Sequence, residues 1–534
     1  MRSPSTGGFG SFWGPKAANR LASRIGRSSN GRTRDFGSRY GGSSPPLPAV
    51  TNNRKRALSA IVLAAGRSTR FRGTRPKVLH PIVGRTIISH VLESLRGVHK
   101  SIRVTDVCLV VAPGKQIEKA LANEKYPFNL TFAVQSDPKG TADATRIGLR
   151  KIGPVDDVLV LAGDMPLISS ETLVGLVRAK REAGAAAAVL TAIDGPPAYG
   201  RVLRSGDQLT GVVEVRDATP DELDIREVNT STYAFGSDIL QRVLPKLGKD
   251  NAQGEYYLTD AVGVLTKGGE SIASIQAPPE EVVGTNTRYD FANVARLARE
   301  RIVGELMDRG VTVVDPDTTY VDAGVTVGAD TVLLPNTFLE GSTKIGAHCE
   351  IGPNSRLVDT TVGDDTVVTF TVARQSKIGP TVTVGPFVSL RPGTVLKKGA
   401  HVGTFAEMKN AEIGEGAKVP HFSYLGDVSV GPRSNIAAGT ITSNFDGKAK
   451  HRTRIGGDAF IGSDTILVAP VRVGSGAYTG AGSVVTRDVP AGGLVYGVPA
   501  QAQKRKSKPK AKRPAKKAKS KRRPATVKKK GRGG

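Results

Sequence analysis

From Val327 onward a branched aliphatic returns at every sixth position: Val327, Leu333, Leu339, Ile345, Ile351 and Leu357. The beat slips by one residue at Val362, resumes through Ile378, Val384, Leu390, Leu396 and Val402, and runs again through Ile455, Ile461, Leu467 and Val473. Small residues usually follow the aliphatic, as in Ile345-Gly346, Ile351-Gly352 and Ile461-Gly462. Neither the ~3.6-residue period of a helix nor the ~2-residue period of a strand gives this spacing. A chain wound into a triangular parallel β-helix does, with one inward aliphatic per face and three hexads per coil. A loop-rich sandwich needs alternating short strands and would not hold the phase. The pattern predicts a β-helix from near Asp315 to about Ala500.

The preceding residues carry a different pattern. Ala57-Leu58-Ser59-Ala60-Ile61-Val62-Leu63-Ala64-Ala65-Gly66 reads as a buried strand ending in small residues. Apolar runs at 106–112, 131–135, 157–163 and 186–193 alternate with helical stretches at 85–98, 114–124, 140–151 and 170–183. Such alternation predicts an α/β, mainly parallel, doubly wound (Rossmann-like) sheet. Residues 288–309 read as a linking helix with Phe291, Val294, Leu297, Ile302 and Leu306 on one stripe. The expected organisation is a nucleotide-type α/β domain over 57–287, a linker at 288–314, and the β-helix over 315–503. Disordered arms are expected over 1–56 and 504–534.

The net charge of the 534 residues is +28, which invites a nucleic-acid reading. The charge belongs to the ends. Residues 504–534 hold 17 Lys+Arg and no acid, residues 1–56 hold 11 against one Asp, and about +1 remains between them. Two cysteines, Cys108 and Cys349, cannot form a disulfide framework. There is no apolar run long enough for a membrane span and no signal-peptide core, so a soluble, cytoplasmic protein is expected. Ser28–Ser38 and the Gly-Gly-Ser-Ser-Pro-Pro after it resemble the conceptual translation of a transfer-RNA gene. We therefore expect translation to begin near Val50.

In a parallel α/β sheet, ligands bind beyond the carboxyl ends of the strands. The loop Leu63-Ala64-Ala65-Gly66-Arg67-Ser68-Thr69-Arg70 has that place, with Lys77 following in Arg75-Pro76-Lys77-Val78-Leu79-His80. Small residues let backbone N–H groups approach a phosphate or base, and the cations offset its charge. Asp164 ends another buried strand, a place where a carboxylate can take a divalent cation.

The motif L-A-A-G-x-x-T-R…P-K-V-L-H resembles that of sugar-nucleotide pyrophosphorylases. Further segments follow in that family's order: Gln135 with Gly140-Thr141, Leu161–Leu167, Tyr199-Gly200-Arg201, Glu214, Glu227–Thr230, Asn251–Asp260 and Gly284-Thr285-Asn286. Joined to a hexapeptide β-helix, the chain resembles, over about residues 57–500, the family of bifunctional N-acetylglucosamine-1-phosphate uridyltransferase and glucosamine-1-phosphate acetyltransferase enzymes. The resemblance implies that Leu63, Ala64, Ala65, Gly66, Lys77, Gln135, Gly140 and Thr141 hold the uridine nucleotide. Gly200, Glu214 and Asn229 would bind the N-acetylglucosamine moiety, and Asp164 and Asn286 would hold Mg²⁺. In-line attack of a sugar phosphate on UTP asks the protein to position and neutralise, with no covalent nucleophile. The sequence departs from the family at Ser68 (usually Gly), Ala162 (often Tyr) and Ala142-Asp143 (often Gly-His).

In the β-helix the hexad rhythm breaks between about 405 and 455, where polar residues collect. A break in a solenoid marks a loop or a functional site. The resemblance places an acetyltransferase base at His421, assisted by Glu407; a histidine suits deprotonation of an amine near neutral pH. It also implies Arg391, Lys409, Tyr424, Asn435 and Lys450 around the sugar phosphate. Ala438, Asn444, Phe445, Ser463 and Ala481 would lie along acetyl-CoA, the co-substrate. Phe445 stands where a Tyr is usual, and Gly497 where some members have Arg. The family's β-helices are left-handed and form homotrimers with coenzyme slots between subunits.

Two other readings compete. One is a single-function nucleotidyltransferase whose β-helix only regulates or oligomerises it; His421, Lys409 and Asn444 argue against that. The other is a nucleic-acid-binding protein. The near-neutral body and a tail without aromatic residues imply at most non-specific attraction through that tail. The expected partners are therefore small: UTP, glucosamine 1-phosphate, N-acetylglucosamine 1-phosphate and acetyl-CoA.

Overall fold

A computed structural model describes residues 56–66 and 69–503. The expectations for the N-terminal arm, a start near Val50 included, and for the tail 504–534 lie outside these residues, as does Ser68.

The Leu58–Ala64 strand is apolar except for Ser59, whose hydroxyl pairs with that of Thr105, because both its faces are covered. Leu58, Ala60 and Val62 join one core, and Ile61 joins another on the opposite face. It pairs in parallel with Val104–Val111 on one side and Asp157–Ala162 on the other. Across the sheet the order is 272–276, 187–193, 227–236, 157–162, 58–64, 104–111, 129–134. The expected helices appear at Ile87–Ser101, Gln116–Leu121, Thr141–Leu149 and Ser170–Glu182. No apolar run in the sequence predicts the strand Glu227–Gly236, which runs antiparallel to both neighbours, or the Arg201–Ser205/Gln208–Val213 hairpin that pairs onto it. Glu227–Gly236 is mostly buried but interleaves Asn229, Thr230, Ser231 and Thr232 with its apolar residues, and the hairpin strands mix exposed and buried positions, so no continuous apolar run announces any of them.

The helix Arg288–Asp308 starts at a capping box: the Thr287 hydroxyl accepts the Asp290 N–H, and the Asp290 carboxylate accepts that of Thr287. Its first half places Val294 and Ala298 in the α/β core. Its second half places Ile302 and Leu306 against the β-helix core. One helix thus serves two cores.

Beyond it the chain coils. One face stacks Val332–Leu333, Glu350–Ile351, Val367–Val368, Thr383–Val384, His401–Val402 and Lys418–Val419 in parallel register. The other two faces join around a corner into a 17-stranded sheet. The aliphatics of the hexads point inward and are buried, save Val327, which is half-buried. Buried threonines turn the corners; the Thr337 and Thr343 hydroxyls each donate to a carbonyl three residues back, at 2.7 Å.

The expected break in the rhythm shrinks in the structure. Met408, Ile413, Val419, Leu425, Val430 and Ile436 continue the inward series and are fully or almost fully buried. The apparent irregularity comes from two tight corners, where Asn410 and Asp427 take left-handed backbone (φ 47° and 48°) and shorten the step. Only the segment after Ser443 leaves the coil: Ser443 pairs with Val468, whereas Tyr424 pairs with Ile441, so this coil is longer by a loop.

Candidate active sites

At the carboxyl end of the sheet, Leu63, Ala65, Gly66, Gln135, Gly140 and Thr141 line a cavity of about 580 Å³, together with Thr69, Ala144, Ala162 and Ser231. Ala64 lines adjoining space with Lys77 and Asp164. Gly140 has φ +110°, and a Cβ there would meet the Tyr256 carbonyl at 2.4 Å, so no other residue fits. The Thr141 hydroxyl accepts the Leu258 N–H, at 2.9 Å, which ties this loop to the 256–258 segment.

Lys77 projects from a 3-10 turn into the same end of the sheet. Its Nζ lies 2.5 Å from Asp164 Oδ2 and 3.1 Å from Asn286 Oδ1. Arg70 also donates to Asn286 Oδ1, at 3.1 Å. Asp164 stands just past the Asp157–Ala162 strand, and its carbonyl accepts the Thr285 N–H at 3.0 Å. Asn286 donates its N–H to Asp290 Oδ2 (3.1 Å) at the start of the long helix. Two hard oxygens far apart in sequence are thereby held around one point that attracts a cation. Such a donor pair fits Mg²⁺, which takes one or two protein ligands and completes its octahedron with phosphate and water.

The expected sugar-binding residues also meet. The Asn229 N–H donates to the Gly200 carbonyl at 2.8 Å, and a Cβ on Gly200 would lie 3.4 Å from Glu214 Oε2. Burial pushes the Glu214 carboxyl above the ordinary range, and the charges of Asp260 and Asp217 add to it. The Thr259 hydroxyl donates to Glu214 at 3.2 Å. Asn229 donates to the Tyr233 hydroxyl at 2.8 Å. Among the described residues, Asn229 Oδ1 and the Tyr257 hydroxyl are buried without a hydrogen-bond partner. Buried polar atoms are rarely left so, which makes these two available to a ligand's polar groups. Arg70, a cation of the phosphate loop in the sequence, reaches Asn286 here. The sequence assigns no role to Tyr257 and Thr259 although they sit in the Asn251–Asp260 motif; packing places Tyr256 under Arg146 and Lys249 instead.

The β-helix residues fall into three places. Arg391 and Lys409 follow Leu390 and Met408, which are register partners, so their side chains stack on adjacent coils. Arg391 pairs with Glu407 at 2.9 Å. The Lys450 ammonium beside Lys409, with Arg391 nearby, holds Lys409 below its ordinary value. Three cations gathered in this way would suit a phosphate dianion. Tyr424 follows on the same face, paired with Glu407.

A second group forms a column. Tyr424, Ile441, Ile466 and Val484 are successive register partners; three residues before each stand His421, Ala438, Ser463 and Ala481. His421 is exposed, and among the described residues no hydrogen bond or ion pair joins it to the cation group. Asn444 is buried and donates to Asp427 Oδ2 at 2.5 Å, while Phe445 is exposed on the loop that brings in Lys450. Asn435 stands apart, on the face that pairs it with Lys418 and Phe460.

Among known proteins, residues 60–221 match the MobA-like NTP transferase domain. The bifunctional protein GlmU of Streptomyces avermitilis is 44% identical over 445 residues, covering 82% of this chain and 91% of that protein. GlmU of Desulfitobacterium hafniense is 43% identical over 438 residues (82% and 95%), and that of Thermotoga maritima is 42% identical over 434 (81% and 94%). No helix among the described residues is long and apolar enough to cross a membrane. A nucleotidyltransferase sheet, a hexapeptide β-helix and this extent of identity have one reading: the chain belongs to the GlmU family of bifunctional enzymes.

Proposed function

We propose that the chain makes UDP-N-acetylglucosamine in two steps. Acetyl-CoA first acetylates glucosamine 1-phosphate, and the product then attacks UTP to release pyrophosphate. The observation that carries this reading is the meeting of Lys77, Asp164 and Asn286 beside the nucleotide cavity, in a chain whose β-helix holds a separate cluster of three cations.

In the α/β domain, taken as 57–287, Gln135, Gly140 and Thr141 would hold the base, and Leu63–Gly66 the phosphates. Gly200, Glu214 and Asn229 would hold the sugar, with Tyr257 and Thr259 beside them. Asp164 and Asn286 would hold Mg²⁺, which neutralises charge on the triphosphate when bound. Lys77 would then turn from these oxygens toward the phosphates, and the walls would keep the attacking oxygen in line.

In the β-helix, taken as 315–503 after the linker 288–314, Arg391, Lys409 and Lys450 would bind the sugar phosphate. The sugar would lie across Tyr424 and bring its amine toward His421, which accepts the proton as nitrogen attacks the thioester. Glu407 would orient Arg391. Ala438, Ser463 and Ala481 form a column of small side chains past which acetyl-CoA could run from His421, with Asn444 and Phe445 nearby. Asn435, on another face, would reach the site of a neighbouring subunit. That fits a homotrimer, as does the row of exposed Phe387, Phe405 and Phe422. Free, buried Cys108 and Cys349 fit a reducing cytoplasm.

One coupled assay tests the reading. Glucosamine 1-phosphate, acetyl-CoA, UTP and Mg²⁺ should yield CoA, pyrophosphate and UDP-N-acetylglucosamine. Product formation only when N-acetylglucosamine 1-phosphate is supplied would remove the acetyl-transfer half.

A further inference from the structure

Gln135 lines the nucleotide cavity and is itself 5% exposed. Its Nε2 donates to the Gly140 carbonyl at 3.3 Å and to Asp143 Oδ2 at 3.0 Å. A carbonyl and a carboxylate only accept hydrogen bonds, so the amide nitrogen must face them. Both amide hydrogens are then used within the protein. Oε1 is the one part of the amide with no partner among the described residues. The cavity meets an acceptor, and the amide cannot flip to offer a donor without setting oxygen against oxygen twice.

Asp143 is the half of this arrangement that a side chain decides. It stands on the first turn of the Thr141–Leu149 helix, where a negative charge is favoured, and Arg146 approaches its other oxygen at 3.7 Å. With a residue there that can also give a hydrogen bond, a turned Gln135 amide would set oxygen against oxygen only once, at the Gly140 carbonyl, and that contact is the longer of the two, at 3.3 Å.

Resting on the proposal that this cavity takes a pyrimidine nucleoside triphosphate, we propose that Asp143 is a positioning residue for base selection. It locks Gln135 so that the cavity accepts a base presenting an N–H, as uracil does at N3, and rejects cytosine, whose N3 is an acceptor. Lone pair would face lone pair if cytosine took the same place.

The test compares kcat/KM for UTP and CTP, with N-acetylglucosamine 1-phosphate and Mg²⁺, in the wild type, Asp143→Asn and Asp143→Ala. The wild type should favour UTP, and both variants should lose about tenfold or more of that preference, because an unmatched buried hydrogen-bonding group is disfavoured to roughly that degree. In a Gln135→Ala background Asp143→Asn should change the ratio no further, since its effect runs through that amide. Thermal melting verifies folding of each variant, and Asp143→Ala stands in if Asp143→Asn does not fold. An unchanged ratio in a folded variant, or an equal further loss in the Gln135→Ala background, overturns the role of Asp143. A wild type that turns over neither nucleotide instead overturns the uridyl-transfer reading itself.

Discussion

The two candidate sites are assembled in opposite ways. In the α/β sheet, Lys77, Asp164 and Asn286 lie up to 209 residues apart and meet because three separate strand-end or helix-end segments converge. The Lys77 and Asp164 side chains are 14% and 20% exposed. In the β-helix, Arg391 and Glu407 are 16 residues apart and meet because one coil lies on the next; they are 43% and 44% exposed. Convergence closes a pocket and shifts its acids, as at Glu214. Translation repeats a position down a face and leaves it open. The sheet therefore builds its pocket within one chain, whereas the β-helix leaves the corresponding side chains on an open surface.

If that contrast holds, single changes should separate the two activities. His421→Ala carries the largest expected effect: CoA release should fall about 10²–10⁴-fold with the loss of a general base. Pyrophosphate release from UTP and N-acetylglucosamine 1-phosphate should persist. Equal loss of both would show that the two regions are not independent.

Asp164→Ala is the converse. Uridyl transfer should drop by about 10²–10³-fold, the equivalent of several kcal/mol of lost charge neutralisation. Acetyl transfer should remain, and near-normal UDP-N-acetylglucosamine formation would refute the metal assignment.

Leu425→Ala probes the stacking itself. Leu425 is fully buried in the β-helix, and truncation there should cost about 2–5 kcal/mol of stability in a denaturant melt. Because each coil touches only its neighbours, the damage should fall on acetyl transfer first. A loss confined to uridyl transfer would contradict this.

Glu214→Gln gives a smaller, pH-dependent effect. Burial raises the Glu214 pKa in the folded chain. The folded state therefore holds its proton to higher pH than the unfolded state does, and ionising the group costs stability as pH rises. The melting temperature of Glu214→Gln should match the wild type in acid and exceed it increasingly above about pH 4.3. A constant offset across pH would mean that the carboxyl is not the cause. Least affected should be a chain ending at Gln503, which loses 17 positive charges and should retain uridyl transfer unchanged.

Legibility followed the same contrast. The β-helix could be read from residue spacing because each inward position is set by a local step that repeats. Even so, the stretch from Met408 to Ile436 was misjudged, since two left-handed corners at Asn410 and Asp427 shift the count without breaking the coil. In the sheet, the strands that are continuous apolar runs were legible, and neither the buried but polar-interleaved strand Glu227–Gly236 nor the half-exposed hairpin at 201–213 was.

What the sequence determined by itself is the order of the two architectures, the six-residue beat and the residue types available for each chemistry. These depend on spacing along the chain, and spacing is written in the chain. Only the tertiary structure decided that the Gln135 amide donates to Asp143, that the Tyr257 hydroxyl is buried without a partner while Tyr256 lies under Arg146 and Lys249, and that His421 shares a column with Ala438, Ser463 and Ala481. The reason is physical. A hydrogen bond or a shifted carboxyl depends on which atoms meet after the backbone has closed, and those atoms can come from anywhere in the chain.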